Sequence, residues 1–308
     1  MVASLELTRP VQAKPLSEWQ SVAVELLGTQ TRIVQGKDYY HRVIECGTTG
    51  DPLILIHGIG GHAETYARNL HNLAKHFHVY AIDALYHGFS QKEPWDNARW
   101  TEVQADAVAD LIKALGYSWA HIEGESMGGL IVWEFGLRHP EMAGKLIMNT
   151  GLPNVNTKRK DFVENPGGGP ALMELSQRSL LQPSFDTVKE RMQWLVADPA
   201  RMTDEMVNIR IRLYSFPEVF ESMKRVYRIG GSWEGLMKSY EEDELKVFKP
   251  DPLVFWTQNN PGQGPDSAEY IANLIPGAKF YNMQDAAHWP QWEKPEEHDQ
   301  VLLDFIKG

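Results

Sequence analysis

The chain has 308 residues, 43% of them hydrophobic and 23% charged, an ordinary globular composition. A formal net charge of −11 argues against a nucleic-acid or anionic-membrane surface. The single cysteine, Cys46, excludes an internal disulfide and fits a reducing compartment.

Met1–Pro10 lacks a basic-then-apolar leader pattern, and no apolar run approaches transmembrane length, so a cytoplasmic protein with no membrane partner is expected. The histidines show neither HExxH nor Cys/His ligand spacing, so no metal is expected. Residues 1–30 read as a lead-in, with a short helix from Leu16 to Leu27. Thr31–Val34 and Tyr39–Glu45, joined by Gln35–Asp38, read as an antiparallel edge hairpin. Leu53–Ile56 is a continuous apolar run, the pattern of a strand buried on both faces. The glycine-rich His57–His62 follows, then a helix from Thr65 to His76 and a strand Val79–Ile82 ending at Asp83, which orders its own loop Ala84–Ser90. Trp100–Leu115 carries apolar residues at helical spacing and stops at Gly116.

Ile122–Gly129 contains Gly124-Glu125-Ser126-Met127-Gly128, between a short strand (Ala120–Ile122) and a helical run (Leu130–Leu137). Gly-x-Ser-x-Gly in that context is the signature of a nucleophile elbow, a sharp turn that exposes a serine oxygen at the carboxyl end of a sheet. The backbone N–H of the next residue, Met127, then points at the same space and can hold an oxyanion. Lys145–Asn149, Pro252–Thr257 and Lys279–Met283 read as further strands, and Pro295–Ile306 as a closing helix. This alternation implies an α/β fold with a mostly parallel sheet flanked by helices. Residues 31–150 and 246–308 form that core, while 151–245 lacks a convincing core strand and reads as an inserted helical cap, with a loop at 165–170. A serine nucleophile needs a base; of the histidines late in the chain, His288 follows the last strand and is the candidate, whereas His298 lies in the closing helix as an expected surface residue.

Here the chain resembles the α/β-hydrolase family and, within it, the meta-cleavage product hydrolases, which break a carbon–carbon bond in aromatic catabolism. The matching motifs are His57-Gly58-Ile59-Gly60-Gly61, Arg68-Asn69, Gly124-Glu125-Ser126-Met127-Gly128-Gly129 and His288-Trp289-Pro290-Gln291-Trp292-Glu293. The resemblance runs from about residue 30 to the end. It implies Ser126 as nucleophile, an oxyanion hole from the N–H groups of Ile59 and Met127, and Gly58 and Trp289 as substrate-binding residues. In the cap, Thr203-Asp204-Glu205 starts a helix on which Met206, Ile209 and Leu213 form an apolar stripe, flanked by Arg210 on one edge and Arg212 on the other. Periodicity does not choose between the two arginines. The resemblance selects Arg210 to hold a substrate carboxylate; the competing reading pairs it with a structural Asp or Glu, and Arg212 is expected in solvent.

Three positions depart from the family pattern. Asn260 stands 28 residues before His288, where relatives carry Asp. Either its amide orients His288, or Asp266 reaches back from the following loop. Glu125 precedes the serine, where many relatives have Asn, and Tyr86 replaces a loop glycine. The expected activity is hydrolysis of a 2-hydroxy-6-oxohexa-2,4-dienoate with water as the only co-reactant and no cofactor. A carboxylesterase using the same Ser126–His288 pair and a non-catalytic ligand-binding hydrolase fold are the alternatives. A small molecule is the expected partner, and a homo-oligomer stays open.

Overall fold

The computed structural model describes residues 1–8, 18, 21–157, 168–231 and 238–308, with backbone alone for 168–170. Its strands are β1 (Ala3–Ser4), β2 (Gln30–Gln35), β3 (Tyr40–Cys46), β4 (Asp51–Ile56), β5 (Phe77–Ile82), β6 (Ala120–Glu125), β7 (Ala143–Asn149), β8 (Asn154–Asn156), β9 (Ser239–Glu241), β10 (Pro252–Thr257) and β11 (Lys279–Met283). Nine of them form one sheet in the order β1-β11-β10-β7-β6-β4-β5-β3-β2. All neighbours are parallel except the pairs made by the hairpin, β2 with β3 and β3 with β5.

The apolar run at β4 shows why the sheet is covered twice. Side chains alternate across a strand. Leu53 and Leu55 accordingly join one core with Phe255, Val301 and Phe305, while Ile54 and Ile56 join the other with Ile112, Ile131 and Phe135. The helix Pro295–Lys307 closes the first face; Trp100–Ala114 and Met127–Arg138 close the second. Gly116 takes φ +88° directly after the Trp100–Ala114 helix, the left-handed stop that its sequence signals.

Among the described residues between β8 and β9 lie four α-helices, Gly168–Leu181, Phe185–Gln193, Asp204–Tyr214 and Pro217–Val226. The two short strands pair with each other, apart from the main sheet. Of the loop expected at 165–170, the last three residues instead open the helix Gly168–Leu181, and 165–167 lie outside the described residues. Of the short N-terminal helix expected from Leu16 to Leu27, the described residues form the turn Val22–Glu25, capped by Ser21; residues 16, 17, 19 and 20 lie outside the described residues. The lead-in also supplies β1, an edge strand on β11.

Two expectations need correction. The helix expected over Thr65–His76 is a 3₁₀ turn, Ala63–Tyr66, and a single helical turn, Leu70–Leu73. Polar side chains at and after the break are tied to distant partners: Arg68 donates to the Trp292 carbonyl at 2.6 Å, and Asn69 and Asn72 each donate to Asp299 at 2.9 Å. His298 is not at the surface. It is fully buried between Glu123 Oε1 at 3.0 Å and Asp299 Oδ1 at 3.1 Å. A helical pattern does not reveal a partner 175 residues away on β6.

Burial alone pushes the His298 imidazole down, but Glu123 and Asp299 outweigh it and raise its pKa to about 9. A histidine raised on folding stabilises fully below its unfolded pKa, about 6.5, and loses that contribution as pH rises through the folded value. His298→Leu leaves buried carboxylates unpaired, which costs about 3–5 kcal/mol. The stability gap between wild type and His298→Leu, measured by urea unfolding, is expected to be largest at about pH 6 and to shrink towards pH 9. A gap that stays constant over that range contradicts the charged network.

Candidate active site

Between β6 and the helix Met127–Arg138, Ser126 takes φ 55°, ψ −113°, a region where a side chain costs about 1–3 kcal/mol. Its surroundings enforce the turn. The Ser126 N–H donates to the Asn149 carbonyl at 2.7 Å, and the Gly129 N–H donates to the Ser126 carbonyl at 2.9 Å. A Cβ on Gly124 would strike the Gly128 carbonyl, and one on Gly128 would strike the Ile56 carbonyl. Met127 is the first residue of its helix, so its N–H has no acceptor within the helix and lies at the positive end of the dipole.

His288 follows β11. Its carbonyl accepts from Thr150 Oγ1 at 3.0 Å, and its ring packs edge-on against Trp194 at 5.6 Å. The Nδ1 atom lies 2.7 Å from Asn260 Oδ1, while Asn260 Nδ2 donates to the Gln263 carbonyl at 2.9 Å. With the amide nitrogen committed, its oxygen is the acceptor for His288, so the proton is assigned to Nδ1 and the lone pair to Nε2. Burial, then the nearby Arg191, pushes the His288 pKa down to about 3. The ring is therefore neutral at physiological pH, with its lone pair at Nε2. Asp266 instead sits exposed in the first turn of the helix Pro265–Leu274.

Ile59, Ser126, Met127, Trp194, Asn260 and His288 line one cavity of about 250 Å³. Gly58, Trp289 and Arg210 are not in that lining. The Gly58 N–H donates to Glu125 Oε2 at 2.7 Å. Trp289 is buried, with its N–H on the Leu195 carbonyl at 3.0 Å and its ring against Trp292. The rest of that C-terminal motif holds the histidine loop: Glu293 accepts from the N–H groups of Ala287 at 2.7 Å and Ala197 at 2.8 Å.

Arg210 is buried on the helix Asp204–Tyr214, against the hydroxyls of Tyr214 and Tyr227 and the backbone of Gly60. No carboxylate lies in ion-pair range of it among the described residues. Arg212 is exposed and stacks on Phe216 at 4.7 Å. Two site groups escaped the sequence reading in part or whole. Arg191, on Phe185–Gln193, is buried with Nε on Ser176 Oγ at 2.8 Å and its charge felt by His288. Its signal was a lone arginine beside the apolar positions Val188 and Met192. Glu125 was noted only as a departure; it is buried, its carboxyl is pushed up to about 8 by burial, and its Oε1 lies 3.3 Å from His288 Nε2.

Tyr86 bears the loop's departure from glycine as φ +72°, held by its hydroxyl on the Pro94 carbonyl at 3.2 Å and its ring against Trp95. Asp83 orders the loop as expected, accepting from the N–H groups of Ala63 at 2.8 Å and Phe89 at 2.9 Å. Among the described residues, no helix is long and apolar enough to cross a membrane.

Comparison with known proteins finds similar chains among hydrolases. A 2-hydroxy-6-oxononadienedioate/2-hydroxy-6-oxononatrienedioate hydrolase of Paraburkholderia phymatum is 27% identical over 85% of this chain and 89% of its own length. A 2-hydroxy-6-oxo-6-phenylhexa-2,4-dienoate hydrolase of Comamonas testosteroni is 25% identical over 84% and 88%. The fold is shared with the 2-hydroxy-6-oxo-6-phenylhexa-2,4-dienoate hydrolase of Rhodococcus (TM-score 0.75, 21% identity, 91% of this chain and 100% of that one). It is shared as well with a Bacillus subtilis carboxylesterase (TM-score 0.73, 18% identity, 92% and 95%). A family model described as the α/β hydrolase fold matches residues 51–295, and with the strained serine turn and the doubly covered parallel sheet this makes the chain a member of the α/β hydrolase fold family.

Proposed function

We propose that the protein is a serine hydrolase that cleaves a carbon–carbon bond in 2-hydroxy-6-oxohexa-2,4-dienoate-type ring-fission products. The observation that carries the reading is Arg210. A guanidinium buried beside the Ile59 loop, with no carboxylate in ion-pair range among the described residues, is costly unless an anion completes it. The dienoate carboxylate is such an anion, and the names of the relatives fit it.

In this scheme Arg210 holds the substrate carboxylate, and residues 151–245 act as a cap that excludes water from it. His288 moves the proton that turns the dienol into its keto form. Ser126, or a water activated by His288, then attacks the 6-oxo carbonyl, and the oxyanion is held by the N–H groups of Ile59 and Met127. The carbon–carbon bond breaks to a dienoate and a carboxylic acid, consuming one water. Asn260 orients the imidazole through its oxygen, as the short contact at Nδ1 supports. Gly58 and Trp289 remain assigned to substrate through the family resemblance, Gly58 by shaping the loop rather than by its committed N–H. The lone Cys46 fits a cytoplasmic setting. The second reading, a carboxylesterase, uses the same Ser126–His288 pair and has the Bacillus subtilis fold neighbour in its favour, but it leaves Arg210 without a task.

Ser126→Ala is expected to fold normally and to lose on the order of a million-fold in kcat, the usual cost of removing a triad nucleophile. Retention of a tenth of the wild-type rate in a spectrophotometric assay of a yellow ring-fission product would remove Ser126 from that role.

Arg210→Ala should depress kcat/KM for dienoates by about tenfold to a hundredfold, since charge-assisted hydrogen bonds contribute roughly 1.5–3 kcal/mol each, and should spare p-nitrophenyl esters. Equal losses on the two substrate classes would make Arg210 structural.

Asn260→Asp is expected to keep or raise kcat, and Asp266→Ala to cost less than about tenfold, far below the roughly 10⁴ lost when a triad acid is neutralised. A loss of about three orders of magnitude in Asp266→Ala, beside a silent Asn260→Ala, assigns the acid to Asp266 instead.

A further inference from the structure

The imidazole of His288 has a partner on each of its nitrogens. On Nδ1 is an amide, which fixes the tautomer but carries no charge. On the Nε2 side is the Glu125 carboxyl, whose Oε1 lies 3.3 Å away. Its other oxygen, Oε2, is fixed by the Gly58 N–H at 2.7 Å, whereas Oε1 makes no hydrogen bond within the described residues. Glu125 also adjoins Ser126, at the end of β6. The two departures from the family pattern, an amide at 260 and a carboxyl at 125, thus meet on one ring.

We propose that Glu125 is a positioning residue for His288, supplying from the Nε2 side the carboxylate charge that Asn260 does not supply from the Nδ1 side. The inference rests on the Ser126–His288 reading. When the Ser126 hydroxyl attacks, its proton passes to His288 Nε2 and the new bond forms to the carbonyl carbon. The imidazolium then lies against the Glu125 carboxylate, with its Nδ1–H held by Asn260. On collapse the same proton leaves with the departing carbon or oxygen, and Glu125 returns unchanged. The charge acts only when Glu125 is ionised.

The groups that set this ionisation surround it. Glu123 on the same strand and the low-dielectric setting oppose the anion, while Arg191 and Arg210 from the helices above favour it. Tyr66 faces the pair of glutamates from the turn after β4, and its hydroxyl donates to the Ile56 carbonyl at 3.1 Å. With His288 neutral at rest, burial dominates and the carboxyl titrates at about 8. Serine reactivity therefore rises with pH through that value.

The test uses the full-length protein and two readouts: kcat/KM on a ring-fission product or a p-nitrophenyl ester, and the rate at which a fluorophosphonate probe labels Ser126. Glu125→Gln keeps an oxygen for the Gly58 contact and removes the charge. It is expected to lower both rates on the order of a hundredfold, a fraction of what a full unit charge this close contributes in a protein-like dielectric. It should also abolish the rise through about pH 8 seen in the wild type. Asn260→Asp added to Glu125→Gln is expected to restore at least about tenfold, by returning the charge to the other side of the ring. A structural role for Glu125 would not be rescued from Nδ1. Glu125→Gln within about threefold of wild type, with the pH rise intact, overturns the inference while leaving the Ser126–His288 pair standing, and so does a failed rescue. A wild type that neither takes the probe nor turns over any of these substrates overturns the pair itself, and the inference with it.

Discussion

The structure depends on a backbone conformation that Ser126 adopts at a cost. At φ 55° the residue is strained, and nothing in its own side chain compensates. The compensation comes from its neighbours. β4 and β7 lie on either side of β6 and fix where the turn falls, and Asn149 at the end of β7 takes the Ser126 N–H. Glycines at 124 and 128 let the helix Met127–Arg138 come down onto the Ile56 carbonyl. Beneath the turn the buried Glu123 is tied to Asn149 at 2.7 Å and to His298 at 3.0 Å, which anchors the strand end to the closing helix. The backbone of Ser126 is held in place by this packing at the wall of the cavity, and on the proposed reading that is the preorganisation that hydrolytic catalysis needs.

Charge is the second constraint. Arg191 and Arg210 are both buried, and both act electrostatically on Glu125. Two buried cations held near a neutral imidazole and a carboxyl that is largely protonated at neutral pH leave the site deficient in negative charge. On the proposed reading a dienoate supplies it on binding, which an uncharged ester would not. The arrangement also explains why a neutral His288 is compatible with its surroundings: positive charge and burial both disfavour an imidazolium at rest, so a nearby carboxylate matters most when the proton arrives.

Much of this was legible in the residues. The strands β4 and β10 announce themselves because burial on both faces removes polar residues from a short run, and the elbow does so because few other local arrangements need its glycines. The register of His288 with Asn260 follows from two loops leaving adjacent strands, β11 and β10. What failed was whatever depended on a distant polar partner. His298 looks like a surface residue of an amphipathic helix until Glu123 is brought beneath it. The segment 65–76 looks helical until Asn69 and Asn72 are drawn to Asp299. Arg210 and Arg212 are equivalent by helical spacing, and only the packing of the helix Asp204–Tyr214 buries one and exposes the other. Arg191 was missed because a lone arginine in an amphipathic helix usually faces water.

The central claim, that this serine turn breaks a carbon–carbon bond in an anionic dienol, is tested most directly by product analysis in oxygen-labelled water. The purified protein is incubated with a yellow 2-hydroxy-6-oxohexa-2,4-dienoate and the products are identified by mass spectrometry. The account predicts loss of the chromophore with equimolar formation of a 2-hydroxydienoate and a carboxylic acid, the acid carrying one oxygen from the solvent. Persistence of the chromophore, with p-nitrophenyl esters hydrolysed by the same preparation, would contradict it and make the protein an esterase.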